Sequence, residues 1–201
     1  MSAFRRLYKI DADLLRDHLL RLDGDSRYAR FSGITSDATI RKYVDGIDWD
    51  WSKLIGYVHD GLLRAVAEIR FEKSAAPSEA ELAFSVEKAF QNTRIGSSLM
   101  SRSLIVLRNR GVATAHVVCL LSNARMQKLA LRHRADVKAY SGDVFMSIQV
   151  PYGDLGSLLS EVTDEYIGWM NTGLDLAWRM PISGMFLGAQ RPEAPRPGTW
   201  P

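Results

Sequence analysis

The stretch "AELAFSVEKAFQNTRIGSSLM", residues 80 to 100, constrains the fold more than any other part of this chain. Residues 80 to 87 read as a long strand, in which Glu81 shares a face with Ala83 and Ser85 while Phe84 points the other way. Residues 95 to 110 read as an amphipathic helix that opens on Gly96 and Ser97 and is stopped by Gly111. A strand feeding a helix through a short turn leaves successive N–H groups at the helix start, a concave and partly positive place that suits phosphate. A glycine there lets a ligand approach the backbone closely.

The rest of the chain alternates in the same manner. "DADLLRDHLLRL" spaces leucines as a helix over residues 11 to 22, and residues 37 to 47 predict a second short helix. "LIGYVHDGLLRAVAEIRF" is two strand-like runs broken by Asp60 and Gly61, a pair favoured in a tight hairpin. After the 80–111 unit, "TAHVVCLL" predicts a strand, "NARMQKLALRHR" a helix and "VFMSIQV" a strand. This order implies a mixed sheet with helices packed on it, and in such sheets ligands bind where strands end and helices begin.

Composition narrows the class. The chain has 201 residues, 46% hydrophobic and 24% charged, enough for one domain with a full core. The single cysteine, Cys119, excludes an internal disulfide framework, and its setting in "AHVVCLL" is a buried strand position. The first 20 residues acquire charge too early for a signal-peptide core, and no apolar run approaches a membrane span, so a cytoplasmic place is expected. Net charge is only +3 with scattered basic residues, which argues against a nucleic-acid partner. His18, His59, His116 and His133 show no ligand spacing, so no metal is expected.

The loop before the helix is neither of two common phosphate binders. No lysine follows the glycine, as a nucleotide-triphosphate loop needs, and the further glycines of a dinucleotide fingerprint are missing. "QNTRIGSSLM" instead resembles the acyl-CoA loop of the GNAT superfamily of N-acetyltransferases. Gln91 stands at the loop's first place, Arg94 where the first glycine usually lies, and Gly96 at the second glycine. The resemblance covers roughly residues 5 to 150: "RDHLLRLDGDSRYARF" resembles the opening helix and loop of many bacterial members, and residues 13 to 31 are similar to the catalytic domains of bacterial protein-lysine acetyltransferases. It implies an α/β (α+β) fold: a mixed, mostly antiparallel central sheet flanked by helices.

The same resemblance implies the site. Acetyl-CoA is the implied co-substrate, with no metal, held by Gln91, Asn92, Thr93, Arg94, Ile95, Gly96 and Ser97 in the loop and by Phe84, Ser85 and Val86 on a strand that splays from its neighbour. Asn123 in "LSNARMQKLALRHRADV" matches the residue that caps the next helix and faces pantetheine, which an ordinary N-cap would also explain. An arginine at position 94 contacts pyrophosphate without strain only if its backbone angles are ordinary.

The implied chemistry needs a base, because a lysine amine with a pKa near 10.4 is mostly protonated at neutral pH. Glu81 matches the family's glutamate in place and type, and Glu68 in "AVAEIRF" is the competing carboxylate. A backbone N–H near Val86 is the implied oxyanion donor. The family's usual acid, a tyrosine, is replaced by Ala130, with Ser122, Tyr140 or water as substitutes. The expected function is acetyl transfer to a primary amine, possible acceptors being a protein lysine or a small amine. The alternative is a non-catalytic acyl-CoA-binding sensor.

Beyond residue 150 the family pattern ends. Leu155, Leu158, Leu159, Val162, Tyr166, Trp169 and Met170 recur at three and four residues, which predicts an amphipathic helix. Residues 151 to 188 are expected to be a helical extension that packs on the domain or, as a homodimer, on a second subunit. Its acidic face, with Glu161, Asp164 and Glu165, disfavours a membrane. Residues 189 to 201 are expected to be a flexible proline-rich tail.

Overall fold

The computed structural model describes residues 2–179. The expected tail, 189–201, the last part of the expected extension, 180–188, and the Trp169 side chain lie outside the described residues.

The chain opens with strand β1 (Ser2–Leu7) and three helices, α1 (Ala12–Arg21), α2 (Gly24–Phe31) and α3 (Asp37–Asp45). Three strands follow, β2 (Ser52–His59), β3 (Leu62–Phe71) and β4 (Glu79–Val86), then helix α4 (Ile95–Arg108) and strand β5 (Thr114–Leu120). Helix α5 (Ala124–Arg132), the hairpin β6 (Asp136–Tyr140) and β7 (Asp143–Gln149), and helix α6 (Leu155–Arg179) complete the described residues. Among the described residues the strands form one sheet in the order β1-β2-β3-β4-β5-β7-β6. Every pairing is antiparallel except β4 with β5.

Local chemistry sets most of these boundaries. Asp60 and Gly61 both have positive φ, 51° and 72°, as a two-residue hairpin with the right twist requires. Ser36 caps α3 by accepting the Thr39 N–H, and Gly111, at φ 71°, ends the turn after α4. Two strands and a helix were not anticipated. β6 is an edge strand whose five residues are all exposed, so it has no burial alternation to read. β1 sets Arg5 beside Arg6, and α2 buries no residue; Asp23 holds its start by accepting the Ser26 N–H.

Two cores sandwich the sheet. On one face α1 and α3 cover β1 to β3 through Leu15, Leu19, Ile40 and Val44 against Leu7, Leu54, Leu63 and Val66. On the other, α4 and α5 cover Ala67, Ile69, Leu82, Ala115, Val117 and Met146. Cys119 lies in this second core, where burial and then the nearby Asp143 push its thiol up to about 11. The first helical layer does not extend over β7, where Phe145 stays exposed, as does Val118 of β5. No helix among the described residues is long and apolar enough to cross a membrane.

Helix α6 packs on β1 and α4, but with its polar side. Glu161, Asp164 and Glu165 pair with Arg110, Arg102 and Arg6, while Leu155, Leu159, Val162 and Tyr166 face away from the domain.

Candidate active site

β4 and β5 begin as parallel neighbours and then part. Their register runs through Glu79↔Thr114, Ala80↔Ala115 and Glu81↔His116 and stops there, although β4 continues to Val86 and β5 to Leu120. Beyond that point each strand keeps its outer partner, β4 with β3 as far as Val86 and β5 with β7 as far as Leu120. The result is a wedge-shaped gap in the middle of the sheet, and each flanking strand turns one unpaired backbone edge into it. Such edges accept an extended chain of amides much as they accept an added strand.

Glu81 sits at the narrow end. Cross-strand register puts it on the α1–α3 face with Arg70, and its parallel partner His116 shares that face. Arg70 Nη2 donates to Glu81 Oε1 at 2.9 Å, which orients the carboxylate and leaves Oε2 without a partner among the described residues. About half of the side chain is exposed. His116 Nε2 lies 3.2 Å from Glu79 Oε2. Glu81 is thus both held and accessible.

The rival carboxylate is sealed. Glu68 is buried, and its Oε2 accepts from Arg30 Nη2 at 2.6 Å and from the Tyr43 hydroxyl, while Arg70 Nε stands 3.7 Å from Oε1. Burial, together with the charge of Glu68, raises the Tyr43 phenol to about 12 even beside Arg30. Buried and bonded through Oε2 to both helices, this carboxylate fastens α2 and α3 to the sheet.

Of the expected strand residues, Phe84 and Val86 project to the α4 side and are half-buried against that core. Ser85 points the opposite way and is buried under α1, 2.9 Å from His18 Nε2. His18 Nδ1 is in turn 3.3 Å from Glu87 Oε1. A carboxylate only accepts, so Nδ1 carries the proton and Nε2 accepts the Ser85 hydroxyl. Burial lowers the His18 pKa and keeps it neutral. Burial works against the Glu87 charge too, but hydrogen bonds from His18 and Arg64 and the charge of Arg21 hold its carboxyl at about 2. Serine, histidine and acid stand in the order of a nucleophilic triad, but all three are buried and clamp α1 to the end of β4. Only the backbone of Ser85 borders the gap.

The loop forms the wide end. Gln91 Nε2 donates to the Val86 carbonyl and to Ser26 Oγ, each at 3.0 Å, and its Oε1 accepts from Arg125 on α5. That contact spans the mouth of the gap. Asn92 and Arg94 both have left-handed backbones, φ 61° and 67°. Asparagine tolerates this, whereas an arginine at the family's glycine position is strained, so the condition for an unstrained Arg94 is not met. Arg94 is the N-cap of α4 yet gives no side-chain cap, so the N–H groups of Ile95, Gly96 and Ser97 remain open. Thr93 Oγ1 donates to the Phe90 carbonyl at 2.5 Å.

Gly96 has room that the protein does not use. A Cβ built there meets only Leu129 Cδ2, at 3.9 Å, so packing does not demand a glycine. The open space at an uncapped helix start is what a phosphate group needs, and the exposed Arg94 and Arg125 side chains add positive charge beside it. On the other lip Asn123 caps α5, its Oδ1 accepting the Met126 N–H at 3.1 Å, while its amide NH2 makes no hydrogen bond among the described residues. Ala130 is fully buried on the inner side of α5 and offers no acid. Among the described residues no cluster of three His, Cys, Asp or Glu side chains forms a metal site.

No family model matches this sequence, and neither does any curated protein. Solved structures do. The GNAT domain of S. lividans PAT superposes with a TM-score of 0.63 at 22% identity, covering 73% of this chain and 89% of that one. The chain has the GNAT fold. A GNAT-family acetyltransferase from Streptococcus pneumoniae matches with a TM-score of 0.59 at 15% identity, over 75% of this chain and 99% of that one. The paia N-acetyltransferase of Thermoplasma acidophilum, solved in complex with coenzyme A, matches with a TM-score of 0.57 at 15% identity, over 74% of this chain and 99% of that one. Within this GNAT fold the expected loop and strand residues come together around one gap. Arg70, His116 and Arg125 join them, and sequence reading missed these three because each meets its partner across the sheet or the gap, with no local pattern to mark it.

Proposed function

We propose that the chain is an acyl-CoA-dependent N-acyltransferase that uses acetyl-CoA to acetylate a primary amine, with Glu81 as general base. The observation that carries this reading is the end of β4–β5 pairing at Glu81 and His116, which sets an oriented, half-exposed carboxylate at the narrow end of a gap whose wide end is an uncapped helix start. Residues 1–150 are the catalytic domain and 151–188 its extension. The acceptor class we favour is a protein lysine, on the resemblance of residues 13 to 31 to bacterial protein-lysine acetyltransferases. The enzyme acts in the cytoplasm.

Acetyl-CoA supplies an activated thioester; the chain's own groups bind and orient it and move the proton. The backbone edges of β4 and β5 would hold the pantetheine amides, and the N–H groups of Ile95, Gly96 and Ser97, with Arg94 beside them, would hold the pyrophosphate. Glu81 Oε2 takes the proton from the incoming ammonium, directly or through one water, so that the amine is neutral when it attacks. Arg70 fixes the other oxygen and the direction of transfer. No side chain is assigned as acid: Ala130 is buried, and a thiolate leaves without one.

The absence of an acid at Ala130 and the strained Arg94 favour a second reading, an acyl-CoA-binding sensor. A thiol-release assay with acetyl-CoA and a panel of peptide and small amines separates the two. Amine-dependent release above background is expected; coenzyme A binding with no release from any amine would leave the sensor standing.

A further inference from the structure

Helix α6 is seated with its polar side against its own domain. Glu161 bonds Arg110 at 2.9 Å and Asn109 at 2.7 Å, Asp164 bonds Arg102 at 3.2 Å, and Glu165 lies 3.5 Å from Arg6. Asp154 starts the helix by accepting the Ser157 N–H at 2.7 Å, and it also pairs with Arg108. Two glycines set the distance. A Cβ on Gly153 would lie 2.9 Å from the Arg108 carbonyl, and one on Gly168 would lie 2.7 Å from the Phe4 carbonyl.

The consequence is on the outside. Leu155, Leu158, Leu159, Val162, Tyr166, Ile167 and Met170 are from 49% to 73% exposed. They form one continuous stripe without a charge. Seven such side chains present on the order of 700 Å², more than a monomer normally leaves bare and near the roughly 800 Å² per partner of a specific interface. Beside the stripe a groove of about 380 Å³ runs between α4 and α6, lined by Ile105, Leu159, small hydroxyl residues and the Arg102–Asp164 pair, whose charges offset each other.

We propose that this stripe is a two-fold dimer interface, in which α6 packs against α6 of a second copy of the chain. A stripe with no charge is self-complementary: turning one copy about a two-fold axis brings no like charges together and lets the ridge of each helix enter the other's groove. A lipid surface fits less well. The carboxylates of Asp154, Glu161, Asp164 and Glu165 are matched by the guanidinium groups of Arg108, Arg110, Arg102 and Arg6, so the rim offers anionic lipid no excess of positive charge.

The protein is tested by light scattering from about 1 to about 100 μM, a range suited to ordinary dimer affinities, and it is expected to be a dimer. Leu159→Asp with Val162→Asp should yield monomers with an unchanged circular dichroism spectrum, because both positions are exposed. Val162 lies midway along the described stripe, near the two-fold axis. Val162→Cys should therefore give a covalent dimer under mild oxidation, whereas Ile34→Cys, on a fully exposed residue of a distant loop, should not. Buried Cys119 does not compete. A wild-type monomer across the range overturns the proposal, whether the stripe is then covered by residues 180–201 or binds neutral vesicles. A dimer that survives the double substitution and does not cross-link through residue 162 overturns it as well.

Discussion

Glu81 and His116 face each other in the last paired step of β4 and β5, and past them the strands separate. A carboxylate at this point borders both the gap and the open face of the sheet. Glu81→Gln keeps the size and the contact to Arg70 but cannot take up a proton near neutral pH. Turnover should fall by about a hundred- to ten-thousand-fold with unchanged coenzyme A affinity, as is typical for a general base. Single-turnover kinetics beside calorimetry measure both, and near-normal turnover would exclude Glu81.

Glu68→Gln is expected to act on stability. Removing the charge that Arg30 and Tyr43 share leaves a buried guanidinium uncompensated, which costs about 3 kcal/mol. Urea unfolding should show that loss, and activity at temperatures where the variant is folded should stay within a few-fold of wild type.

Gly96→Val should weaken coenzyme A binding sharply while the fold persists, because among the described residues the new Cβ meets, outside its own helix backbone, Leu129 Cδ2 alone, at 3.9 Å. Titration calorimetry checks the first half and thermal melting the second. Unchanged affinity would remove the loop from the binding site.

Arg94→Gly separates strain from binding. Relief of the left-handed arginine should raise stability by about 1 kcal/mol, while loss of the guanidinium should lower coenzyme A affinity and flatten its dependence on salt. A variant that is more stable and binds as well as wild type would show that the side chain faces solvent.

Acid should loosen the clamp of α1 on β4. Burial holds the folded-state pKa of His18 below its ordinary 6.5, so the folded protein binds fewer protons than the unfolded chain in that range. Its contribution is complete above about pH 6.5 and is lost as pH falls through the folded value. Glu87, held at about 2 against an ordinary 4.5, adds stability that persists to lower pH and is lost only as pH falls from 4.5 toward 2. Thermal midpoints should be level from pH 7 to 8 and decline on moving from about 6.5 to 4.5. His18→Gln should reduce that decline but not abolish it, since burial also depresses His133. An identical decline in the variant would rule His18 out.

What was legible in the sequence follows from local physics. The two-residue turn at Asp60 and Gly61, the helix stopped by Gly111, the alternation that separates Glu81 from Phe84 and the N-cap of Asn123 all depend on neighbours within a few positions. Strand β6 and helix α2 escaped because neither buries a residue, so no periodicity records them.

The sequence by itself determined most of the local elements, β1, β6 and α2 apart, and the loop at Gln91 to Ser97. Tertiary structure decided which carboxylate stays exposed: Glu81 and Glu68 both lie in strands, and the approach of Arg30 and Tyr43 from separate helices buries Glu68. It also decided the orientation of α6. Periodicity shows that a helix has an apolar side, but that side turned outward here because α4, the turn after it and β1 align Arg102, Arg108, Arg110 and Arg6 opposite the acidic one. Charge pairing across 46 to 159 residues of chain is a property of the fold, since no residue's neighbours in sequence carry the information about what it will meet.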